Sequence, residues 1–432
     1  MNRVNNVDPL VFPKCLGSII ISFKANSYLF TKPYRSGGDP ISRVSVPKAA
    51  MFILCGLVLA LLVAVFLFVY NPLGLGPEPD TVLSSAFFAT PAEDLSELEL
   101  LVEGEEAFKE VLAAVDSAKS SIFVQTYIWK DDNIGMRMVN RLKAAADRDV
   151  KVTVSKDFLG TFFELGDMLK GKPSPVYTSA GLKGYDNIEV NTAVFADTDH
   201  SKYFVVDEHI VIFGGMNIAD EYHTKWHDYM VMIRSERWAE AFMKKVLDGS
   251  AWPSPSPFVV TINDRHATEI RTALIEMIEN AKEVIIVEHA YFSDDQVIGA
   301  VKRAAARGVK VDIILPKAPN QHIYANRVTI NKLLDGPPTR VPRVFLYPRM
   351  SHAKVVLSDG AIAAVGSANL TPRSMVTSRE VTVFAHGQSD DRFIRELRDQ
   401  LKTDLAQSEP VVERFELSLT DRIMAVAAKY TW

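Results

Sequence analysis

One uncommon pattern occurs twice in this 432-residue chain, and it constrains the fold more than any other feature. Each copy contains a His-x-Lys triplet, an Asp five positions after the Lys, and a Gly turn that ends in Asn. Chance rarely produces two copies with identical spacing, so the chain is predicted to contain two equivalent halves. The matched pairs are His200 and His352, Lys202 and Lys354, Asp207 and Asp359, and Asn217 and Asn369.

The segments that precede the two motifs share one order of secondary-structure patterns. Each half shows a helical pattern, a strand, a second helix and a second strand. In the first half these lie at 108–119, 121–128, up to Ala146, and 150–154; in the second half they lie at 270–282, 284–287, up to Arg307, and 309–315. This alternation predicts an α/β fold built from βαβ units, with largely parallel sheets.

The two halves are predicted at residues 98–250 and 258–405, on either side of a Pro-rich connector. A pseudo-twofold axis would relate them and place both His-x-Lys motifs at one active site on their interface. The alternative, two independent domains that happen to repeat, leaves each motif half complete. Residues 71–97 are predicted to be a linker, and residues 406–432 a C-terminal tail.

Residues 49–70 are apolar and uncharged over about the length of a membrane-spanning helix. The preceding flank is basic, whereas the stretch between Asn71 and Phe108 is acidic and has no Lys or Arg. The positive-inside rule then predicts a single-pass anchor in the inner membrane, with residues 1–48 cytoplasmic and the catalytic part extracytoplasmic. Two alternatives are a second membrane element at 16–23, which would reverse this topology, and a signal sequence that begins at Met51.

The charge of the main body disfavours a nucleic-acid partner. Residues 1–70 hold seven of the 48 basic and two of the 53 acidic residues, so the remainder has a net charge near −10. Proteins that bind nucleic acid through its phosphates usually present a basic surface. Both cysteines, Cys15 and Cys55, also precede the main body, which therefore has no disulfide framework and no zinc-type cysteine cluster.

The paired motifs supply the groups needed to cleave a phosphodiester without a metal or another cofactor. One imidazole can attack phosphorus, and the other can protonate the leaving alcohol. Lys202, Lys354, Asn217 and Asn369 can hold the phosphate oxygens. Each imidazole also needs an acceptor for its other nitrogen, and Asp228 and Glu380 follow the two motifs at comparable places.

The doubled signature resembles the phospholipase D superfamily, and within it the bacterial cardiolipin synthases. Supporting similarity lies in Tyr127–Asp132, Gly214–Tyr222 and Gly366–Ser374. The resemblance implies that His200 and His352 are the catalytic pair and that a phosphatidyl group passes through a phosphohistidine to a second phosphatidylglycerol. His200 is favoured as the nucleophile. The resemblance also implies membrane phospholipid substrates and structural roles for Asp207 and Asp359.

Some residues admit a second interpretation. His223 and His227 have the spacing of a metal pair on a helix, but no third ligand is nearby, so an ordinary solvated loop is predicted. The pairs Asp131-Asp132 and Asp294-Asp295 precede helices and are predicted to be caps rather than paired acids. His289 stands at a strand end where the family more often has a small residue.

Three other functions compete with phosphatidyl transfer. A hydrolytic phospholipase D would use the same residues with water as the acceptor. A nuclease would use the same chemistry, but the acidic body and the predicted anchor oppose it. A catalytically inactive membrane scaffold is disfavoured because both motifs are intact.

Overall fold

The computed structural model describes residues 81–89, 95–162, 181–182, 184–193 and 198–431, together with Gly56. The described residues from 81 onward belong to one compact unit. The predicted cytoplasmic segment 1–48 and the predicted span 49–70 lie outside the described residues, except for Gly56. In the part of the chain that is described, no helix is both long and apolar enough to cross a bilayer.

The first half begins after a short helix, α1 (Ser85–Ala89). Its described elements, in chain order, are β1 (Leu98–Val102), α2 (Gly104–Ser117), β2 (Ser121–Thr126), α3 (Asn133–Ala146), β3 (Lys151–Asp157), α4 (Phe158–Phe162), β4 (Ile188–Ala193), β5 (Tyr203–Val206), β6 (Ile210–Gly214), α5 (Asp220–Thr224), β7 (Tyr229–Arg234) and α6 (Glu236–Asp248).

The second half repeats this order and adds elements at its end. They are β8 (Phe258–Asn263), α7 (Glu269–Asn280), β9 (Val284–His289), α8 (Asp295–Ala306), β10 (Lys310–Pro316), α9 (Ile323–Leu333), β11 (Arg343–Tyr347), β12 (Lys354–Ser358), β13 (Ile362–Gly366), α10 (Pro372–Val376), β14 (Glu380–His386), α11 (Arg392–Gln407), β15 (Glu409–Pro410) and α12 (Leu419–Thr431). The predicted C-terminal tail therefore contains a helix.

Each half contributes one sheet, and the strand orders correspond. The first sheet is ordered β1-β7-β6-β5-β2-β3-β4, and the second β15-β11-β10-β9-β12-β13-β14-β8. Only β2-β3-β4 and β9-β10-β11 are parallel, and every other pair in these sheets is antiparallel. The expectation of largely parallel sheets is therefore wrong, although the duplicated α/β plan is present.

The antiparallel part follows from tight turns inside the repeated motifs. Asp207 and Glu208 both have positive φ (52° and 53°) between β5 and β6, and Asp359 and Gly360 do so (51° and 64°) between β12 and β13. Three residues separate the paired strand ends, Val206 and Ile210 in the first half and Ser358 and Ile362 in the second, and so short a turn can join only antiparallel strands. Parallel pairing remains where a helix carries the chain back across the sheet.

The two sheets pack against one another through a shared apolar core. Val205 and Phe213 of the first sheet and Val355 and Val365 of the second belong to this one buried cluster. Helices α2 and α3 cover the other face of the first sheet, and α7 and α8 cover that of the second. Helix α6 of the first half contacts β8, and α11 of the second half contacts β1, so the halves are interlocked.

One aspartate of each pair is the N-cap of α3 or α8, as predicted, and Asp295 lies in the first turn of α8. Asp132 accepts a hydrogen bond from the Gly135 backbone N–H, and Asp294 accepts from the N–H of Gln296 and of Val297. These bonds satisfy donors that the first helical turn leaves free. Neither pair is an acid–base couple, which separates the aspartates from the chemistry of the motifs.

Candidate active site

Main-chain hydrogen bonds join the two halves at both His-x-Lys motifs. The N–H of His200 donates to the carbonyl of Arg379 at 2.9 Å, and the N–H of His352 donates to the carbonyl of His227 at 2.7 Å. Arg379 and His227 each belong to the half opposite the histidine that they hold. These two backbone hydrogen bonds between the halves therefore fix both histidines where the halves meet.

The residue after His227 is Asp228, and the residue after Arg379 is Glu380. Both carboxylates contact the histidine rings. Asp228 Oδ2 lies 2.7 Å from Nδ1 of His352, and Glu380 Oε1 lies 2.9 Å from Nδ1 of His200. Both carboxylates were suggested by the sequence as orienting partners, but the sequence did not show which histidine each would contact. Each carboxylate serves the histidine of the other half, so neither half holds a complete His–carboxylate pair.

The electrostatic surroundings keep both imidazoles neutral. Burial lowers the pKa of His200 to about 4 in spite of the nearby Glu380 carboxylate. Burial, reinforced by the ammonium groups of Lys354 and Lys202, holds the pKa of His352 well below its usual value. Because a carboxylate only accepts, Nδ1 of each ring carries the proton, and Nε2 presents a lone pair.

The first motif has a second glycine, Gly215, where the second motif has Ser367. The structure gives a reason for each residue. A Cβ at Gly215 would lie 2.3 Å from Oδ1 of Asp228, so only glycine leaves room for this carboxylate. Ser367 occupies the same place in the second motif, and its hydroxyl donates to Glu380 Oε2 at 2.5 Å. The side chain at this position thus matches the carboxylate beside it.

Both motif lysines are buried beside their own histidines. Lys202 and Lys354 are 1% and 3% exposed, and each ammonium group donates to the carbonyl oxygen of the histidine two positions before it. The Lys354 ammonium also lies 2.8 Å from Nδ1 and 3.1 Å from Nε2 of His352. Burial lowers the pKa of Lys202 to about 7 and that of Lys354 to about 8. An anion between these lysines would restore full protonation.

The motif asparagines both line the cavity but differ in their partners. Asn217 accepts from the Ile128 N–H at 2.9 Å, and its amide donates to the Tyr222 hydroxyl at 2.8 Å. Asn369 is buried, and its Oδ1 has no hydrogen-bond partner among the described residues. The unpartnered atom of Asn369 is thus an acceptor, and only its amide N–H groups could donate to a phosphate in the cavity.

The motif aspartates lie away from the cavity. Asp207 accepts from the backbone N–H groups of Lys119, Ser120 and Ser121 at 2.8–3.0 Å. Asp359 does the same for residues 282–284 at 2.8–2.9 Å. Each carboxylate therefore ties the hairpin after its motif to the loop that leads into β2 or β9.

Replacing Asp359 by Ala is expected to destabilise the fold by about 2–3 kcal/mol, because three backbone donors lose their acceptor. The midpoint of urea unfolding, followed by circular dichroism, should fall, while kcat of the folded fraction stays near the wild-type value. A fall in kcat without loss of stability would place Asp359 in the reaction instead.

A solvent-open cavity lies over the two histidines. The sequence did not single out several of its lining residues. Tyr127 directly follows β2, and Tyr291 lies two positions after the end of β9, so both are at the carboxyl ends of parallel strands, where α/β folds place ligands. Tyr127 packs edge-on against His200 at 4.8 Å between ring centroids, and Tyr222 does so against His352 at 5.0 Å. Other lining residues are Ile128, Thr198, Asn320, Gln321, His322, Thr371, Arg373, Ser374 and Ser378.

The predicted solvated loop around His227 is wrong, because this histidine is fully buried in a hydrogen-bonded cluster. Nδ1 of His227 contacts Glu103 Oε1 at 2.8 Å, and Nε2 contacts the Tyr229 hydroxyl at 3.0 Å and Asp404 Oδ2 at 3.2 Å. The same tyrosine hydroxyl reaches Glu288 and Asp404. His223, the other member of the predicted pair, is only half-buried and packs on Phe108.

His227, Glu288 and Asp404 are close enough together to be considered as metal ligands. Their atoms already bond one another, Tyr229, Ser351 and Gln400. Hydrogen bonds among these side chains therefore account for their close approach. Burial alone would lower the pKa of His227, but the carboxylates of Glu288, Asp404 and Glu103 outweigh it and raise this pKa to about 10.

The His227 cluster is expected to stabilise the fold most at low pH. A raised folded-state pKa gives stability that is present in full below the unfolded value near 6.5 and is lost as pH rises towards 10. Burial also raises the pKa of Glu288, which acts in the same direction. The destabilisation caused by His227→Gln should thus be on the order of 2–4 kcal/mol larger at pH 6 than at pH 10.

Urea unfolding of both proteins at the two pH values measures this difference. Among the described residues, the titratable groups that face His227 include Glu103, Tyr229, Glu288, Asp404 and Tyr347, and Arg349 pairs with Glu103 from outside. The mutation His209→Gln is the control, since this histidine lies in the turn between β5 and β6. An equal loss at both pH values would show that His227 is not charged in the fold.

His289 is the last residue of β9, as the sequence indicated, and lies beside the second His-x-Lys motif. It pairs across β9 and β12 with Lys354 and is 2% exposed. Neither ring nitrogen has a hydrogen-bond partner among the described residues. Burial, with the adjacent Lys354 charge, holds the pKa of His289 well below its usual value, so this side chain adds no charge to the site.

Comparison with known proteins identifies the architecture. The profile of the family described as "Cardiolipin synthase, PLD-like domain" matches residues 111–248 and 274–405. Cardiolipin synthase B of Shigella flexneri is 29% identical over 346 residues, which cover 72% of this chain and 81% of the relative. Cardiolipin synthase of Listeria monocytogenes (serotype 4a) is 28% identical over 351 residues, covering 72% and 70%.

Among solved structures, the phosphatidylserine synthase of Haemophilus influenzae superposes with a TM-score of 0.61. The match covers 80% of this chain and 95% of that protein at 13% identity, so it bears on the fold alone. The duplicated sheets, the two histidines that each contact a carboxylate of the other half, and the family match over both halves all indicate the same family. The chain therefore belongs to the cardiolipin synthase family of phospholipase D-like proteins and is a phosphatidyltransferase of the phospholipase D type.

Proposed function

We propose that this protein makes cardiolipin from two molecules of phosphatidylglycerol through a phosphohistidine intermediate, and that residues 49–70 anchor it in the membrane. The observation that carries the proposal is the pair of neutral, crossed histidines that line one cavity between two buried lysines. The named relatives are cardiolipin synthases, which supports phosphatidylglycerol as the lipid.

In the first step, Nε2 of His200 attacks the phosphorus of the donor lipid. The P–O bond to the glycerol headgroup breaks, and His352 gives its Nε2 proton to the departing alkoxide, so glycerol leaves. His352 is neutral at rest, and the bound phosphodiester anion would favour the protonated form that this step needs. Lys202, Lys354 and Asn369 would hold the non-bridging oxygens, and Asn217, which Tyr222 engages, would shape the pocket.

In the second step, a hydroxyl of another phosphatidylglycerol replaces the departed glycerol. Neutral His352 takes the hydroxyl proton as the oxygen attacks phosphorus, and the P–N bond to His200 breaks. The product is cardiolipin, His200 is neutral again, and His352 again carries on Nε2 the proton that it gave to glycerol. His352 took this proton from solvent when the donor lipid bound, and it returns the proton to solvent when the product leaves. Asp228 and Glu380 keep Nδ1 protonated throughout, which leaves Nε2 of each ring for the reaction.

The assay uses purified protein in phosphatidylglycerol vesicles, with the lipid products separated by chromatography. Cardiolipin and glycerol in equal amounts are expected, also in the presence of a strong chelator. Phosphatidic acid as the only product would make the protein a hydrolytic phospholipase D. Cleavage of single-stranded oligonucleotides without lipid turnover would make it a nuclease. Protease protection of intact membranes tests the anchor and its topology.

A further inference from the structure

Phospholipid substrates impose a condition on the mouth of the catalytic cavity. Among the described residues that line this cavity, Ile128 is the one aliphatic side chain, and the others are polar or aromatic. Such a lining suits the headgroup and phosphate of a lipid rather than its two acyl chains. Transfer of acyl chains into water is strongly unfavourable, so they stay in the bilayer while the phosphate reacts. The rim of the cavity must therefore touch the membrane surface.

The C-terminal helix α12 lies close to this rim. The lining residues 320–322 lead directly into α9, and the lining residues Arg373 and Ser374 belong to α10. Helix α12 packs against both α9 and α10. Because α10 is only five residues long and lines the cavity, a helix that contacts it is near the cavity mouth.

Helix α12 turns an apolar stripe outward. Leu419, Ile423 and Val426 have the spacing i, i+4 and i+7, so they share one face of the helix, and they are 75%, 59% and 58% exposed. Met424 beside them is also exposed. Ala425 is the one buried residue among the described side chains of α12. A surface helix normally turns such a stripe towards the core, so this face is built for a contact outside the fold.

Exposed apolar side chains are concentrated in this part of the chain. Among the described residues, the large apolar side chains that are exposed are Leu247 of α6 and five that lie between residues 412 and 426. Contiguous exposed apolar surface marks an interaction site, whereas a single exposed residue such as Leu247 is ordinary. The segment also follows residues 274–405, where the family profile ends, so it is a feature of this chain outside the matched region.

Hydrogen bonds hold the segment in a defined position. The Asn331 side chain donates to the Phe415 carbonyl and accepts from the Phe415 N–H, both at 2.8 Å. Ser418 and Asp421 cap α12, since Asp421 Oδ2 accepts from the Ser418 N–H at 2.8 Å and Ser418 Oγ accepts from the Asp421 N–H at 3.1 Å. The apolar stripe therefore has a fixed direction relative to α9.

The groove between α9 and α12 adds basic groups to this surface. Its apolar lining residues include Val328, Leu417 and Val426. Its charged lining residues are Lys332, Asp335, Arg414 and Arg422, three of them basic. Lys332 and Arg414 pair with Asp295 and Asp335, whereas no ion pair joins Arg422 to another described residue. Apolar side chains beside basic groups complement the boundary of an anionic bilayer, where acyl chains meet phosphates.

We propose that α12 and the groove between α9 and α12 dock on the surface of an anionic phospholipid bilayer and turn the mouth of the catalytic cavity towards it. The stripe of Leu419, Ile423 and Val426 enters the boundary between headgroups and acyl chains, and Arg422 lies among the phosphates. This contact orients the domain, whereas the proposed anchor at 49–70 tethers it. The inference rests on the lipid substrate of the proposed function and not on the identity of the product.

The position of α12 is measured in the full-length protein, reconstituted into vesicles of phosphatidylglycerol and phosphatidylcholine. Both native cysteines are replaced by Ser, and an environment-sensitive fluorophore is attached to Ile423→Cys or, as the matched control, to Leu247→Cys. These two positions are 59% and 61% exposed, and Leu247 lies outside both the cavity and the groove. We expect a blue shift and quenching by nitroxide-labelled lipids at position 423 but not at position 247.

Two results of the fluorescence measurement would overturn the inference. Emission at position 423 that matches the control would show that α12 stays in water. A blue shift without quenching by the nitroxide-labelled lipids would show that a second copy of the chain, or another protein segment, covers α12 instead.

A second measurement connects this surface with catalysis. The double variant Ile423→Asp, Val426→Asp should release glycerol from vesicle phosphatidylglycerol at least about 10-fold more slowly than the wild type, because charged side chains are disfavoured at the acyl boundary. Short-chain phosphatidylglycerol dissolved below its micelle concentration needs no bilayer contact and should react at the wild-type rate. Leu247→Asp is the control and should match the wild type with both substrates.

The outcomes separate this inference from the function on which it rests. An equal loss with both substrates would mean that the two residues support the fold, and an unchanged rate with vesicles would mean that they do not contact the bilayer; either result overturns the inference. If the wild type turns over neither lipid, the proposed function fails, while the fluorescence comparison still decides whether α12 lies on the membrane.

Discussion

Replacing His200 or His352 by Ala is expected to reduce turnover by at least about 10³-fold, because each imidazole performs a step that the other cannot perform at the same time. The double variant should be little worse than either single variant, since residues that act as one unit do not contribute additively. Lipid product formation from phosphatidylglycerol vesicles measures both effects.

The two histidine variants should differ in what they accumulate. With His200 as the nucleophile, His200→Ala forms no phosphoenzyme, whereas His352→Ala forms it slowly and cannot break it down. Acid-labile, base-stable labelling from phosphate-labelled lipid distinguishes the two. The control is His209→Ala, which removes an imidazole from the turn between β5 and β6. Near-normal turnover in either site variant would refute a shared two-histidine site, and label in His200→Ala alone would reverse the roles.

Replacing Asp228 by Asn, or Glu380 by Gln, is expected to lower kcat by about 10²- to 10⁴-fold with little change in KM. The amide keeps the size of the carboxylate but no longer requires a proton on Nδ1 of the facing histidine. The wrong tautomer then places the proton on Nε2, where the lone pair is needed.

The crossed geometry makes this second prediction specific. Glu380 faces His200, so Glu380→Gln should slow formation of the phosphohistidine. Asp228 faces His352, so Asp228→Asn should slow its breakdown and let the label build up. The control is Asp207→Asn, which removes a motif carboxylate that caps backbone N–H groups and lies outside the cavity. The reverse pattern of labelling would mean that each carboxylate acts within its own half.

Much of the fold could be predicted because its signals are local. The strand predicted at 121–128 begins at Ser121 as expected, and the helices that end at Ala146 and near Arg307 follow the apolar period of about 3.6 residues. The prediction of largely parallel sheets was wrong because the apolar pattern along a strand does not show which neighbouring strand it pairs with. The short hairpins at Asp207 and Asp359 decided that pairing.

The same division applies to individual site residues. Spacing singled out the motif histidines, lysines and asparagines, since each copy of the pattern is contiguous in the chain. His227 was assigned to a solvated loop because its partners Glu288 and Asp404 are remote in sequence. Arg373 received no role for a similar reason, since its place in the cavity depends on where α10 packs beside Thr198.

The sequence by itself therefore determined that this chain is a duplicated α/β protein with two copies of one phosphodiester-processing motif. Repeats, apolar periods and motif spacing are properties of neighbouring residues, which the chain displays before it folds. Tertiary structure alone decided that Glu380 serves His200 across 180 positions and that Asp228 serves His352 across 124. Contacts at such separations depend on how the two sheets pack, and no local pattern encodes that packing.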